Sequence, residues 1–177
     1  MEKSYKEYLK HITTFIFDVD GVLTDGTIQV NTQGEMFRTM SIKDGYGIKT
    51  AVEQGFNVCV ISGGSNEGVR VRLQNLGVKD IFLGAHHKTK ILEDYLKTKN
   101  IKRENILFMG DDLPDYEIMQ EVGLPTCPQD AVQEIKAISK YVSHKKGGKG
   151  CVRDVIEQVL KVQEKWMPNE GVSAKYD

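Results

Sequence analysis

The stretch FIFDVDGVLTDG, Phe15 to Gly26, decides how this chain is read. An apolar run of strand-favouring residues meets Asp18 and Asp20, and Gly21 follows. Carboxylates are costly to bury without partners, and two of them so close repel each other. Alternate residues of a strand share a face, so both acids can point the same way where the strand ends. Something has to compensate for their charge.

Working outward, short apolar runs alternate with longer helical patterns. Residues 13–18, 57–62, 80–83 and 105–109 read as buried strands, and 141–142 as the start of a last short one. Helical patterns cover 45–54, 66–76, 89–99, 115–121, 131–138 and 151–165, with Gly55 and Gly77 at helix-ending positions. This alternation predicts an α/β fold, a doubly wound, Rossmann-like parallel sheet flanked by helices. One segment breaks the rhythm. Residues 27–30, the turn-prone Asn31 to Gly34 and residues 35–40 read as a β-hairpin inserted after the first strand. Residues 166–177 read as a loose tail, and 1–177 as one domain.

The composition sets limits. With 177 residues, 40% hydrophobic and 28% charged, the chain suits a soluble globular domain with a real core. A net charge of -1 provides no field for nucleic acid or an anionic membrane. No apolar run is long enough to span a bilayer, and the charged start MEKSYKEYLKH lacks a signal-peptide core. Cys59, Cys127 and Cys151 are odd in number and widely spaced, which argues for a reducing compartment and against a disulfide frame or zinc site. The expected location is the cytoplasm.

Ligands of open α/β sheets bind beyond the carboxyl ends of the strands. The first strand delivers Asp18 and Asp20 there, and the second Ser62, Gly63 and Gly64. The third is followed by His86, His87 and Lys88, the fourth by Gly110, Asp111, Asp112 and, further on, Asp115. Several carboxylates meeting in one place call for a hard divalent cation, and Mg²⁺, which prefers oxygen and bridges carboxylates to phosphate, is the natural choice. A carboxylate such as Asp18 can then act as a covalent nucleophile towards phosphorus. Ser62, the close backbone approach at Gly63 and Gly64, and Lys88 would serve the phosphoryl oxygens, with Asp20 as acid and base.

Each of these residues also has a plainer reading. Ser62 alone is more often a turn or helix-cap residue, and Lys88 alone a solvated surface lysine. Asp115 would favour the start of the helix after Pro114. His86 and His87 read as loop polarity. KKGGKG, residues 145–150, lacks the phosphate-loop pattern and reads equally as a mobile basic loop or an anion-binding one.

The four motifs together, DVDGVLTDG, Ser62, Lys88 and GDDLPD, resemble those of the haloacid dehalogenase superfamily of phosphotransferases. The resemblance implies Asp18 as nucleophile and Asp20 as acid/base. It also implies Ser62 and Lys88 as phosphoryl ligands, and Mg²⁺ held by Asp18, the Asp20 carbonyl and Asp111. Asp112 would support Lys88 or a metal-bound water, while Asp115 fits the motif without a clear role. The intervals between motifs leave no room for a cap domain, so the site would be open unless another subunit covers it.

IKDGYGI, GVRVR, GDDLPDYEIM and GGKGCVRDVIE narrow the resemblance to the capless phosphatase family acting on 3-deoxy-D-manno-octulosonate 8-phosphate. That family implies a homotetramer whose neighbouring subunits close each site, and a place in lipopolysaccharide core synthesis. Its substrate carries a carboxylate remote from the phosphate, for which Arg72 is the expected partner. Lys149 and its flanking glycines would help close the site. Ser65 departs from the pattern, because several relatives carry an arginine immediately after the Ser/Thr-Gly pair or one residue later. A nine-carbon acid 9-phosphate, ketodeoxynononate or sialic acid, is the alternative substrate. A phospho-receiver module is disfavoured by motif order, since Lys88 precedes Asp111. A silent assembly domain is disfavoured by the presence of both Asp18 and Asp20.

Overall fold

The computed structural model describes residues 4–167. The strand β1, Thr14–Phe17, is buried throughout and forms the centre of a six-stranded parallel sheet. Its side chains alternate between two cores: Phe15 and Phe17 face one side, Ile16 the other. β4, Asn57–Ile61, and β6, Ile106–Met109, flank it and alternate in the same way. This is the expected signature of a sheet covered on both faces. The remaining strands are β5 (Asp80–Phe82), β7 (Leu124–Cys127) and β8 (Tyr141–Val142), giving the order β5-β4-β1-β6-β7-β8. Helices α2 (Ile42–Glu53), α3 (Glu67–Asn75) and α7 (Cys151–Val162) cover one face with α1, Tyr5–Leu9. Helices α4 (Lys88–Lys99), α5 (Tyr116–Gln120) and α6 (Gln133–Ile138) cover the other.

The doubly wound fold is therefore the one expected, and no cap domain lies among the described residues. Two elements were not anticipated. β7 was hidden by Pro125, which removes a ladder donor. Pro125 precedes the β7–β8 pairing, which begins at Thr126, and its carbonyl accepts from the Lys140 N–H at 2.9 Å. α1 is a single short turn with too little periodicity to read. Its Tyr5 ring packs 4.5 Å from that of Tyr141.

The inserted hairpin is shorter than expected: β2, Gln29–Val30, pairs antiparallel with β3, Met36–Phe37. The Asn31 side chain organises the turn by accepting from the Gln33 and Glu35 amides. Ile28, Val30, Met36 and Phe37 are all exposed. Asn66 ties the hairpin to the body: its Nδ2 donates to the Met36 carbonyl at 2.9 Å while its Oδ1 caps α3 through the Val69 amide.

Of the two readings of residues 145–150, a mobile basic loop or an anion-binding one, the packing goes against the first. Gly148 donates to the Val22 carbonyl at 2.9 Å, and Gly147 donates to Asp130 at 2.9 Å. A Cβ at Gly147 would fall on the Gly21 carbonyl. These glycines let the loop lie directly against the segment that follows β1. α7 starts immediately after it. Its N-terminal amides are received by the buried Asp44 of α2, from Gly150 at 3.2 Å and Arg153 at 2.8 Å. The acid thus sits at the positive end of α7. IKDGYGI and GGKGCVRD are two halves of one interface. Arg153 stacks over Tyr46 at 4.8 Å and Trp166 at 5.2 Å, so Trp166, the first residue of the expected tail, is packed; residues 168–177 lie outside the described residues. The three cysteines are free and buried, and among the described residues no helix is long and apolar enough to cross a membrane.

Replacing Asp44 with Ala strands two buried amides at the start of α7. The expected loss is about 2 kcal/mol, read as a fall in Tm of roughly 4–8 °C for a chain this size. An unchanged Tm would remove Asp44 as the cap.

Candidate active site

Asp18 is the first residue beyond β1. Its amide donates to the Met109 carbonyl of β6 at 3.1 Å, so sheet pairing holds it in place at the strand's end. Ser62 follows β4 and is fixed the same way, donating to the Phe82 carbonyl at 2.9 Å. Lys88 opens α4 after β5, and Asp111 follows β6 through Gly110. Four strand ends converge on one cleft of about 480 Å³, whose lining includes Asp18, Asp20, Ser62, Gly63, Lys88 and Asp111.

Lys88 organises the cluster. Its buried Nζ lies 2.6 Å from Asp115 Oδ1 and 3.0 Å from Asp18 Oδ2. Burial pulls the lysine's pKa down, but the two carboxylates more than reverse this and leave it raised. Asp18 Oδ1 accepts from the Val19 amide at 2.7 Å. Asp115 is fully buried; its second oxygen accepts from the Asp111 amide at 3.1 Å. Both Asp115 oxygens are thus engaged, one by Lys88 and one by the backbone. Asp115, whose role the sequence left open, is the anchor of Lys88.

Asp112, expected to support Lys88 or a metal-bound water, forms no ion pair with Lys88 among the described residues. It is exposed and accepts from the Leu113 amide at 2.8 Å, capping the short turn Leu113–Asp115. Cap geometry turns its carboxylate back onto its own backbone, and the deeper Asp115 takes the lysine.

Oxygen atoms of Asp18, Asp111 and Asp115 all lie within 4.8 Å of one another. Burial, then the charges of Asp18 and Asp115, push Asp111 up to about 7. Burial and Asp18 likewise raise Asp115, against the pull of Lys88. Three carboxylates face one lysine, so the site has an excess of negative charge and hard oxygen donors. A divalent cation such as Mg²⁺ fits that donor set. Asp18 and Asp111 line the cleft, whereas Asp115 lies fully buried behind them, so these two are the side chains available to the cation. Gly21 makes this approach possible: its φ is +84°, and a Cβ there would fall on the Asp111 carboxylate.

Asp20 lines the same cleft and is half-exposed. Both its oxygens are held by Arg38, Nε to Oδ1 at 2.6 Å and Nη2 to Oδ2 at 3.1 Å. Sequence reasoning missed Arg38. It stands just beyond β3, and only the hairpin's fold brings it 18 residues back to Asp20. The Ser62 hydroxyl accepts from the Gly64 amide at 3.3 Å, and Gly63 borders the cleft.

Arg72, on α3, is not in the cleft. It lines an adjoining groove of about 930 Å³ that meets the cleft at Gly63 and Gly64. Its guanidinium lies close against Gly45, where an added Cβ would be 2.7 Å from Nη2. Lys149 is exposed and pairs with Asp25 at 3.6 Å, outside the carboxylate cluster. His86 borders the cleft without a charged partner among the described residues.

Residues 77–156 match the model of the haloacid dehalogenase-like hydrolase family. The chain is 35% identical over 164 residues to the 3-deoxy-D-manno-octulosonate 8-phosphate phosphatase of Salmonella typhi, covering 93% of this chain and 87% of that protein. The crystal structure of the Yersinia pestis phosphatase of the same name superposes with a TM-score of 0.90 at 32% identity, over 93% of this chain and 89% of that one. The Moraxella catarrhalis phosphatase, solved with a magnesium ion, a phosphate ion and a KDO molecule, gives 0.88 at 33%, over 92% and 93%. Sheet order, the placement of the acids after β1 and β6, and these likenesses agree: the chain belongs to the haloacid dehalogenase-like hydrolases, in the family of the 3-deoxy-D-manno-octulosonate 8-phosphate phosphatases.

Proposed function

We propose that this protein is a phosphatase that converts 3-deoxy-D-manno-octulosonate 8-phosphate to the free sugar acid and phosphate, with Mg²⁺, in lipopolysaccharide core synthesis. The observation that carries the reading is Lys88, held between Asp18 and Asp115 at the sheet edge where Ser62 and Asp111 also arrive. A cation fixed there, beside an acid facing the cleft, is what a phosphoryl group needs.

In this reading Asp18 is the nucleophile. Its oxygen attacks phosphorus and forms an aspartyl-phosphate as the bond to the sugar's alkoxide breaks. Asp20 supplies the proton to the leaving oxygen, then takes one from the water that releases phosphate. Lys88, the Ser62 hydroxyl and the Gly63 backbone hold the phosphoryl oxygens, and Asp115 keeps Lys88 in place. Mg²⁺ would be held by Asp18, the Asp20 carbonyl and Asp111, and when bound supplies positive charge against the phosphate anion. Arg72 meets the sugar acid's carboxylate in the adjoining groove, where Lys149 would help close the site. The chain works as a single cytoplasmic domain within a homotetramer. The exposed apolar residues of the hairpin support such cover by a neighbouring subunit.

Phosphate release from the eight-carbon acid, the two nine-carbon 9-phosphates and simple sugar phosphates tests the substrate. The eight-carbon acid should lead, and a nine-carbon preference would replace it. Asp18→Asn should lose nearly all turnover while leaving the fold intact; wild-type rates would sink the nucleophile assignment. Arg72→Ala should lower kcat/KM for the sugar acid about tenfold or more while sparing an aryl phosphate. Equal losses would remove Arg72 from recognition.

Asp111 also predicts a pH dependence. Its folded pKa is raised, so its contribution favours the metal-free fold at low pH and is lost as pH rises through about 7. Mg²⁺ must displace that proton. The gain in Tm on adding Mg²⁺ should therefore be larger at pH 8 than at pH 6, and a flat response would argue against Asp111 as a ligand.

A further inference from the structure

The grip of Arg38 on Asp20 conflicts with the work assigned to Asp20. Both carboxylate oxygens accept from the guanidinium, at 2.6 and 3.1 Å, and the Arg38 side chain is only 10% exposed. While both oxygens hold the guanidinium as an ionised carboxylate, Asp20 is not at the same time the protonated acid that a leaving group needs. Yet the guanidinium has somewhere to go. Arg38 itself lines the open adjoining groove, and it packs with Asp20 directly against Gly64, where a Cβ would lie 3.3 Å from Asp20 Oδ2 and 3.4 Å from Arg38 Nη2. The same groove also carries Arg72. The acids of that groove are occupied: Glu35 accepts from Asn31 Nδ2 at 2.6 Å, and Glu67 from Arg70 Nε at 3.3 Å. Among the described residues, Arg72 has no ion pair. An incoming carboxylate would meet two arginines there, one of them holding Asp20.

We propose that Arg38 is a positioning residue that exchanges Asp20 for the substrate's carboxylate, so that binding of a sugar acid releases the general acid. This rests on the sugar-acid phosphatase reading. The carboxylate takes over the two N–H donors of Arg38, an equivalent bidentate pair. Asp20, released, can turn to the sugar oxygen as its general acid, giving that oxygen a proton as the P–O bond breaks and the Asp18–phosphorus bond forms. A phosphate ester without a carboxylate leaves Arg38 on Asp20 and is turned over slowly. Selectivity thus appears in kcat, because part of the binding energy is used to complete the site.

The test compares Arg38→Ala and Arg38→Gln with wild type on two substrates in Mg²⁺: 3-deoxy-octulosonate 8-phosphate, and phenyl phosphate, which has no carboxylate. Phenoxide is a better leaving group than a sugar alkoxide but still basic enough to gain from a proton, so the clamp predicts opposite changes. kcat/KM for the sugar acid should fall about 100-fold, while kcat for phenyl phosphate should rise about tenfold as Asp20 is freed. A residue that merely braces the site would lower both. Parallel losses, an unchanged sugar-acid rate, or an unchanged phenyl phosphate rate each overturn the proposal. Arg38→Gln keeps most of the side chain's packing and decides the matter if Arg38→Ala does not fold. If wild type hydrolyses no sugar-acid phosphate, the substrate reading fails by itself. The phenyl phosphate comparison then still judges the clamp: a rise supports it, and an unchanged or lower rate overturns it.

Discussion

The buried ammonium of Lys88 between Asp18 and Asp115 is the interaction on which the site depends, because nothing else among the described residues offsets those charges at that depth. Placing it needs three separate pieces of chain. β1 must stop at Phe17 so that Asp18 is held by β6, α4 must begin at Lys88, and the turn after Asp112 must send Asp115 inward. Removing one partner of such a group leaves a buried charge unpaired, which costs more than the pair itself contributes. The third carboxylate, Asp111, is left in surplus, and that surplus is what makes a divalent cation fit.

The sheet supplies rigidity and the loops supply chemistry, as in other open α/β folds. Less usual is how closely the loops are packed on one another. Gly147 and Gly148 lie against the segment after β1, and α7 behind them is capped by Asp44 of α2. The Gly21 turn that passes over Asp111 is thereby backed by a helix on the far side of its own loop. The hairpin is the exception. Among its ties to the body are Asn66 and Arg38, and it presents Ile28, Val30, Met36 and Phe37 outward. The same segment thus carries both the partner of Asp20 and an unburied apolar surface.

The alternation of Phe15, Ile16 and Phe17, and the glycines and acids after each apolar run, depend only on neighbours in the chain, so the strands and the order of Asp18, Ser62, Lys88 and Asp111 were legible from residues alone. The capless arrangement followed from the short intervals between them. β7 was not legible, because Pro125 argues against a strand until one sees that pairing with β8 starts a residue later. Nor was the choice of Asp115 over Asp112 as the anchor of Lys88. Both acids stand in one short motif, and the direction of a side chain in a tight turn is set by which amide it caps.

Chain order thus established which kinds of chemistry meet at the carboxyl edge, since a parallel sheet delivers the residue after each strand to one side. Tertiary structure alone decided who pairs with whom there. Arg38 reaches Asp20 through the return of a hairpin, Asp44 reaches the amides of α7 across 106 residues, and Arg72 stands in the neighbouring groove instead of the cleft. These pairings depend on distances between elements far apart in sequence, and a local pattern of residues carries no information about such distances.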